Sequence, residues 1–188
     1  REAVARNQLE LHYQPQIDIR NGSVVGAEAL LRWNHPVQGL IPPLQFLPLA
    51  EEMDIISELG KWTLREACRQ LTEFKSMGLE LPRITVNISA LQFNAEFIAT
   101  VKSVLADSKL NPSSLQLELT EGAVITDVGG TVRALQELKE LGVALSIDDF
   151  GTGFSPLSYL RRFPLDELKI DRRFVIKSQE SENDANLV

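Results

Sequence analysis

Leu115-Gln116-Leu117-Glu118-Leu119-Thr120 alternates apolar and polar residues at every step. In a strand, successive side chains point to opposite faces, so this stretch reads as a strand with one leucine face and one face carrying Gln116, Glu118 and Thr120. The same parity recurs along the chain. Ile84, Val86 and Ile88 oppose Thr85, Asn87 and Ser89. Ala27, Ala29, Leu31 and Trp33 oppose Glu28, Leu30 and Arg32, and Leu168 and Ile170 oppose Glu167, Lys169 and Asp171. In the first strand His12, Gln14 and Gln16 share a face.

Between these segments the apolar period changes to three and four. Leu64, Ala67, Cys68, Leu71 and Phe74 form one helical stripe, and Val132, Leu135, Leu138 and Leu141 another. The reading along the chain is strand 9–19, ending at the Asn21-Gly22 turn signal, and strand 24–33. A Pro- and Gly-rich loop follows over 35–43, then helices 44–53 and 56–77. Strand 84–89, helix 97–110, strand 115–121, helix 128–141 and strand 144–150 come next. A short helix over 156–162, strand 167–171 and a helical start at Arg173 complete it. No internal repeat or low-complexity linker divides the chain, so residues 1–188 read as one domain.

Strands separated by helices imply parallel pairing through right-handed crossovers. Two α/β architectures satisfy that: an open doubly wound sheet and a (β/α)8 barrel. A third, an antiparallel sheet with one solvated face, also gives alternation, but the intervening helices oppose it. No Gly-rich phosphate loop follows the first strand, which disfavours a dinucleotide-binding sheet. A parallel sheet covered on both faces is apolar on both. Here the second face is polar, as the wet interior of a barrel requires.

The chain has 188 residues and a net charge of −7, with no basic patch of the kind that DNA or RNA binding needs. No apolar run reaches the length that crosses a bilayer. Cys68 is alone, so no disulfide forms within the chain, and its place in a helical stripe makes it a core residue. A lone cysteine suits a reducing compartment, and a cytoplasmic domain is expected, in a full-length protein that can carry a membrane anchor. The first residue is Arg1 rather than Met, which reads as a piece of a longer polypeptide.

The polar faces bring Glu28, Asn87, Glu118, Asp148 and Asp149 to one end of the strands, with Lys169 nearby. Four carboxylates aimed at one spot repel each other and either take up protons or bind cations. An all-oxygen donor set favours Mg²⁺, Mn²⁺ or Ca²⁺ over zinc. Adjacent Asp148 and Asp149 suit a two-metal site with ions about 3.5–4 Å apart, the arrangement that serves phosphoryl displacement. Two divalent ions would also admit an anionic phosphodiester to an acidic protein.

The run Ala27-Glu28-Ala29-Leu30-Leu31-Arg32-Trp33 contains the Glu-Ala-Leu signature, and the resemblance to the EAL-domain family extends through five further stretches. They are Tyr13-Gln14-Pro15-Gln16, Val86-Asn87-Ile88-Ser89-Ala90, Glu118-Leu119-Thr120-Glu121, Asp148-Asp149-Phe150-Gly151-Thr152-Gly153 and Lys169-Ile170-Asp171. The resemblance implies a TIM-like (β/α)8 barrel whose first strand runs against the others. It implies metal-dependent hydrolysis of cyclic-di-GMP to linear pGpG with Mg²⁺ or Mn²⁺, in bacterial second-messenger signalling. By similarity Glu28, Asn87, Glu118 and Asp148 hold one metal, and Asp148 and Asp149 reach a second. Lys169 orients the attacking water, Asp171 supports the site, and Glu121 anchors the loop after the fifth strand (144–150). Gln14, Leu30 and Arg32 match ligand-contacting positions; from the residues alone, Arg32 could equally form an ion pair at the mouth.

The chain departs from the family's usual pattern at Gly122, Phe154 and Pro156. The family's Glu-Gly-Val-Glu motif, which supplies the general base, and the last two barrel strands are expected after Val188. The resemblance further implies a homodimer coupled to the loop over 149–155, and an upstream sensory or GGDEF-type domain. Two other readings are a receptor that binds cyclic-di-GMP without cleaving it and a dimerisation scaffold; the second leaves the carboxylates unexplained.

Overall fold

The computed structural model describes residues 2–120, 128–150 and 162–177. A short helix α1 (Glu2–Ala5) leads into β1 (Leu9–Ile17), β2 (Val24–His35) and β3 (Gly39–Ile41). Helices α2 (Pro43–Glu52) and α3 (Ile56–Ser76) follow, then β4 (Ile84–Ile88), α4 (Ala95–Ser108) and β5 (Leu115–Thr120). Helix α5 (Val128–Glu140), β6 (Ala144–Phe150), β7 (Glu167–Ile170) and α6 (Arg172–Lys177) complete the described elements. The sequence-based segments match these to within a few residues, with α1 and β3 added. The Pro- and Gly-rich loop contains β3, which pairs with β2 from Trp33↔Ile41 to His35↔Gly39; three residues are too few to show a period. The first strand ends at Ile17, because Asp18 starts the turn by accepting the Gly22 backbone N–H at 2.7 Å. The expected helix over 156–162 lies outside the described residues, apart from Arg162.

The sheet order is β1-β2-β4-β5-β6-β7. Strands β2, β4, β5, β6 and β7 pair in parallel, and β1 runs antiparallel to β2. In a flat sheet β2 and β7, four strand spacings apart, would be separated by roughly 19 Å. Yet Lys169 Nζ on β7 lies 3.1 Å from Glu28 Oε2 on β2. Arg83, just before β4, reaches Glu167 on β7 at 3.1 Å. These chords close only if the sheet curls, which selects the barrel-type architecture over the open doubly wound one. At the base of the curl Gly26 is a glycine for a steric reason. A Cβ there would stand 2.6 Å from Gln16 Oε1 and 3.2 Å from the Arg83 carbonyl.

The parity divides the sheet into two layers. Ala29, Val86, Leu117 and Ile147 face outward and are fully or almost fully buried against Leu64, Ala67, Cys68 and Leu71 of α3, Val101 of α4, and Leu135 and Leu138 of α5. Cys68 sits in this layer, and burial pushes its thiol up to about 12, which makes it inert. A second cluster seats Phe46 and Ala50 of α2 on Leu9, Leu31 and Ile41. The inner face is also buried, but polar: Thr85, Gln116, Glu118 and Ser146 are each at most 1% exposed. No described helix is long and apolar enough to cross a membrane.

Candidate active site at the strand ends

Strand register brings the inward polar residues to one level. Asn87 pairs with Glu118, Glu118 with Ser146, Thr120 with Asp148, and Gln14 with Glu28. The Asn87 side-chain amide donates to Glu28 Oε1 at 2.8 Å. Lys169 enters from β7 and donates to Glu28 Oε2 at 3.1 Å and to Glu118 Oε1, while Asp148 Oδ1 lies 3.6 Å from its ammonium. Ser146 Oγ, 3.5 Å from Glu118 Oε2, completes the floor.

Burial dominates the electrostatics. It pushes the Glu118 carboxyl upward, opposed by the Lys169 hydrogen bond and charge and assisted by the nearby Glu28 and Asp148. The same burial disfavours the Lys169 charge, but the Glu118 hydrogen bond and the three carboxylates outweigh it and hold the ammonium above its ordinary range. The site is therefore built around a cation.

Asp148 and Asp149 are neighbours in sequence, and in a regular strand they would point to opposite faces. The strand is not regular there. Ile147 pairs with Leu168 but Phe150 pairs with Ile170, so β6 carries one extra residue, a bulge. Asp149 has φ +55°, a left-handed conformation that Asp tolerates better than most residues. The bulge brings Asp149 within electrostatic reach of both Asp148 and Asp171. Burial first, then the charges of these two carboxylates, raises its pKa. Asp171 in turn accepts the Arg173 backbone N–H at 2.7 Å and its Nε at 2.9 Å at the start of α6.

The structure thus brings Glu28, Asn87, Glu118, Asp148 and Lys169 together, with Asp149 and Asp171 beside them. Gln14, exposed on β1, stands across from Glu28. Leu30 lines a cavity of about 370 Å³ that opens beside Glu28 and Asn87 and runs under Leu44, Leu47 and Ile56. Arg32 donates to the Leu31 carbonyl at 2.9 Å and forms no ion pair among the described residues. Glu121 and residues 151–156 lie outside the described residues. Sequence reasoning did not single out Ser146 as a floor residue, although the parity of Ala144, Ser146 and Asp148 marks it. It also missed Gln92 and Glu51, which stand off the strands and carry no periodic signal. A groove of about 550 Å³ between α3 and α4 is larger than the mouth cavity, but it lies on the outer helical layer, away from the strand ends.

Glu28, Asn87, Glu118 and Asp148 could hold a hard cation by donor type. Among the described residues, however, no three His, Cys, Asp or Glu side chains stand close enough to form a ready-made metal cage. The Lys169 ammonium fills the middle of the group.

A family model described as the EAL domain matches residues 1–188. Over 189 residues the chain is 48% identical to the bifunctional diguanylate cyclase/cyclic di-GMP phosphodiesterase MucR of Pseudomonas aeruginosa, covering all of this chain and 28% of that protein. It is 45% identical over 188 residues to the cyclic di-GMP phosphodiesterase NbdA of the same organism, covering all of this chain and 24% of that protein. The chain therefore spans about a quarter of the length of these curated relatives. The solved structure of the PaMucR phosphodiesterase in complex with c-di-GMP superimposes with a TM-score of 0.92 at 47% identity, covering 99% of this chain and 76% of that one. On the match along its whole length, and on the shared barrel-type fold, the chain belongs to the EAL domain family.

Proposed function

We propose that this domain hydrolyses cyclic-di-GMP to linear pGpG with Mg²⁺ or Mn²⁺. The observation that carries the reading is the convergence of Glu28, Glu118 and Asp148 on one cation position at the strand ends, with the Asn87 amide held on Glu28. The names of the relatives supply the substrate. Glu28, Asn87, Glu118 and Asp148 would hold one divalent ion, and Asp148 with Asp149 a second. Such ions, when bound, polarise the phosphoryl oxygens and supply a nucleophilic water at neutral pH.

The chain's own residues do the rest. Water attacks phosphorus, the P–O3′ bond breaks, and the departing O3′ takes up a proton, which leaves a 5′-phosphate on the linear dinucleotide. Lys169 orients that water by donating to it. A lysine held charged by three carboxylates keeps its proton, so its part is positioning and not general-base catalysis. Gln14, Leu30 and Arg32 contact the nucleotide, Arg32 with a fork suited to a phosphate. Asp171 holds the approach to Asp149, and Glu121 anchors the loop over 149–155 at the end of β6. In the whole protein the domain works as a homodimer under an upstream sensory or GGDEF-type domain, on the cytoplasmic side.

The test is to incubate the full-length protein with cyclic-di-GMP and separate the products. Linear pGpG should accumulate with Mg²⁺ or Mn²⁺ and stop on chelation. Ca²⁺ should inhibit, because its contacts of about 2.3–2.6 Å are longer than the 2.0–2.1 Å of Mg²⁺. Tight binding of cyclic-di-GMP without turnover would make the domain a receptor instead, and turnover in chelator would refute the metal site.

A further inference from the structure

On its β5 side β4 is paired through Asn87↔Glu118 and Ile88↔Leu119, but on its β2 side the pairing stops short of Asn87. β2 pairs with β4 only from Ala27↔Ile84 to Ala29↔Val86, so on that side Asn87 lies beyond the last paired residue. A different set of contacts takes over at Ser89, two residues on. Gln92, 4% exposed, accepts the Ser89 backbone N–H on its Oε1 at 2.8 Å. Its own backbone N–H donates to the Ser89 carbonyl at 3.0 Å. Its Nε2 donates to the Ile56 carbonyl in the first turn of α3 at 2.5 Å. The Ser89 hydroxyl donates to Glu51 Oε1 of α2 at 2.8 Å. Gly60 makes room for this amide: a Cβ there would fall on the Gln92 side chain, 2.8 Å from its Cδ.

We propose that Gln92, seated against Gly60, is a positioning residue that fixes the end of β4 to α3 and so sets the Asn87 amide for cation binding. The inference rests on the reading of Asn87 as a metal ligand given above. A buried side-chain amide with both its ends satisfied is a rigid spacer, and losing its acceptor end leaves the Ser89 backbone N–H unpaired. Only glycine at position 60 lets the spacer lie flat on the helix. Asn87 uses its amide nitrogen on Glu28, so its oxygen is the group left to face a cation. A small shift of the strand end would misplace it. Because Ser89 also holds Glu51, the ends of α2 and α3 meet at the same node as the ligand strand.

The experiment uses the full-length protein and reads Mn²⁺ affinity by calorimetry, alongside melting temperature and the separate KM and kcat for cyclic-di-GMP. Gln92→Met removes both hydrogen bonds, Gln92→Glu keeps the acceptor for Ser89 and loses the donor, and Gly60→Ala displaces the amide while leaving it intact. Leu138→Ala in α5 serves as a control that destabilises the outer layer without touching β4. Gln92→Met and Gly60→Ala should weaken Mn²⁺ binding by about 10–100-fold, as loss of a ligand's supporting partner does. Gln92→Glu should fall between these and the parent, and Leu138→Ala should leave the affinity at the parent value. Unchanged Mn²⁺ affinity in both Gln92→Met and Gly60→Ala, or an equal loss in Leu138→Ala, would overturn the positioning role. If the parent itself binds no Mn²⁺, the metal reading falls and this inference with it.

Discussion

Lys169 is the residue on which the site turns. Its ammonium stands among Glu28, Glu118 and Asp148, where a divalent ion held by the same carboxylates would place its charge. A cation already present must be displaced or pushed aside by an incoming one. Lys169→Met should therefore tighten Mn²⁺ binding by at least about tenfold, or 1.4 kcal/mol. It should also slow hydrolysis, because the group proposed to orient water is gone. Calorimetry and turnover then move in opposite directions; weaker Mn²⁺ binding in the variant would remove the competition and leave Lys169 as a partner of the bound ion. The oxygen-bearing side chains Glu28, Asn87 and Glu118 were legible from parity alone, since each falls on the inward face of an alternating strand. That Lys169 reaches across to Glu28 was not legible, because the curl that joins β2 to β7 leaves no mark on either strand.

At the scale of elements, the end of β6 shows what strand parity cannot give. Alternation predicts Asp148 inward and Asp149 outward; the bulge and the left-handed φ of Asp149 overrule it. Neither is encoded by a glycine or a turn signal, so the adjacency of two candidate aspartates was the available hint. The entry to β7 is fixed by a different carboxylate. Asp166 accepts the Leu145 backbone N–H at 2.8 Å and pairs with Lys139 of α5 at 2.6 Å. Burial would raise its pKa, but the Lys139 and Leu145 hydrogen bonds hold it below the ordinary range. A carboxyl depressed in the folded state stabilises above its unfolded pKa of about 3.9, and the contribution is lost as pH falls through the folded value. Asp166→Asn should lower the melting temperature at pH 7 by about 2–4 °C, allowing for solvent screening of a pair this exposed. The gap between variant and parent should close toward pH 3. A gap that stays constant with pH would assign the effect to packing.

For the whole molecule, the two faces of the sheet divide stability from chemistry. The leucine face of β5 packs on the helices, and the face one residue out of phase carries Glu118. Leu117→Ala should cost about 2–5 kcal/mol, a cavity in a filled layer. At this chain length that is a fall of roughly 4–20 °C in melting temperature. Its Mn²⁺ affinity should remain that of the parent, because no donor is touched. The alternation alone makes this division legible, and at a net charge of −7 any anionic phosphodiester would have to be met by local cations. Which partner each inward group takes depends on the curvature of the sheet, and that follows from packing across the barrel rather than from any single strand.

The most direct measurement of the central claim compares Glu28→Ala and Asp148→Asn with the parent in the full-length protein, following hydrolysis of cyclic-di-GMP in Mn²⁺ and thermal melting together. Both side chains face the strand-end mouth and neither packs in the outer layer. Turnover should therefore fall by more than about 100-fold, beyond what loss of an outer-shell partner costs, while melting stays within a few degrees of the parent. Parent-like turnover in either variant would contradict the assignment of these carboxylates as the metal-binding centre.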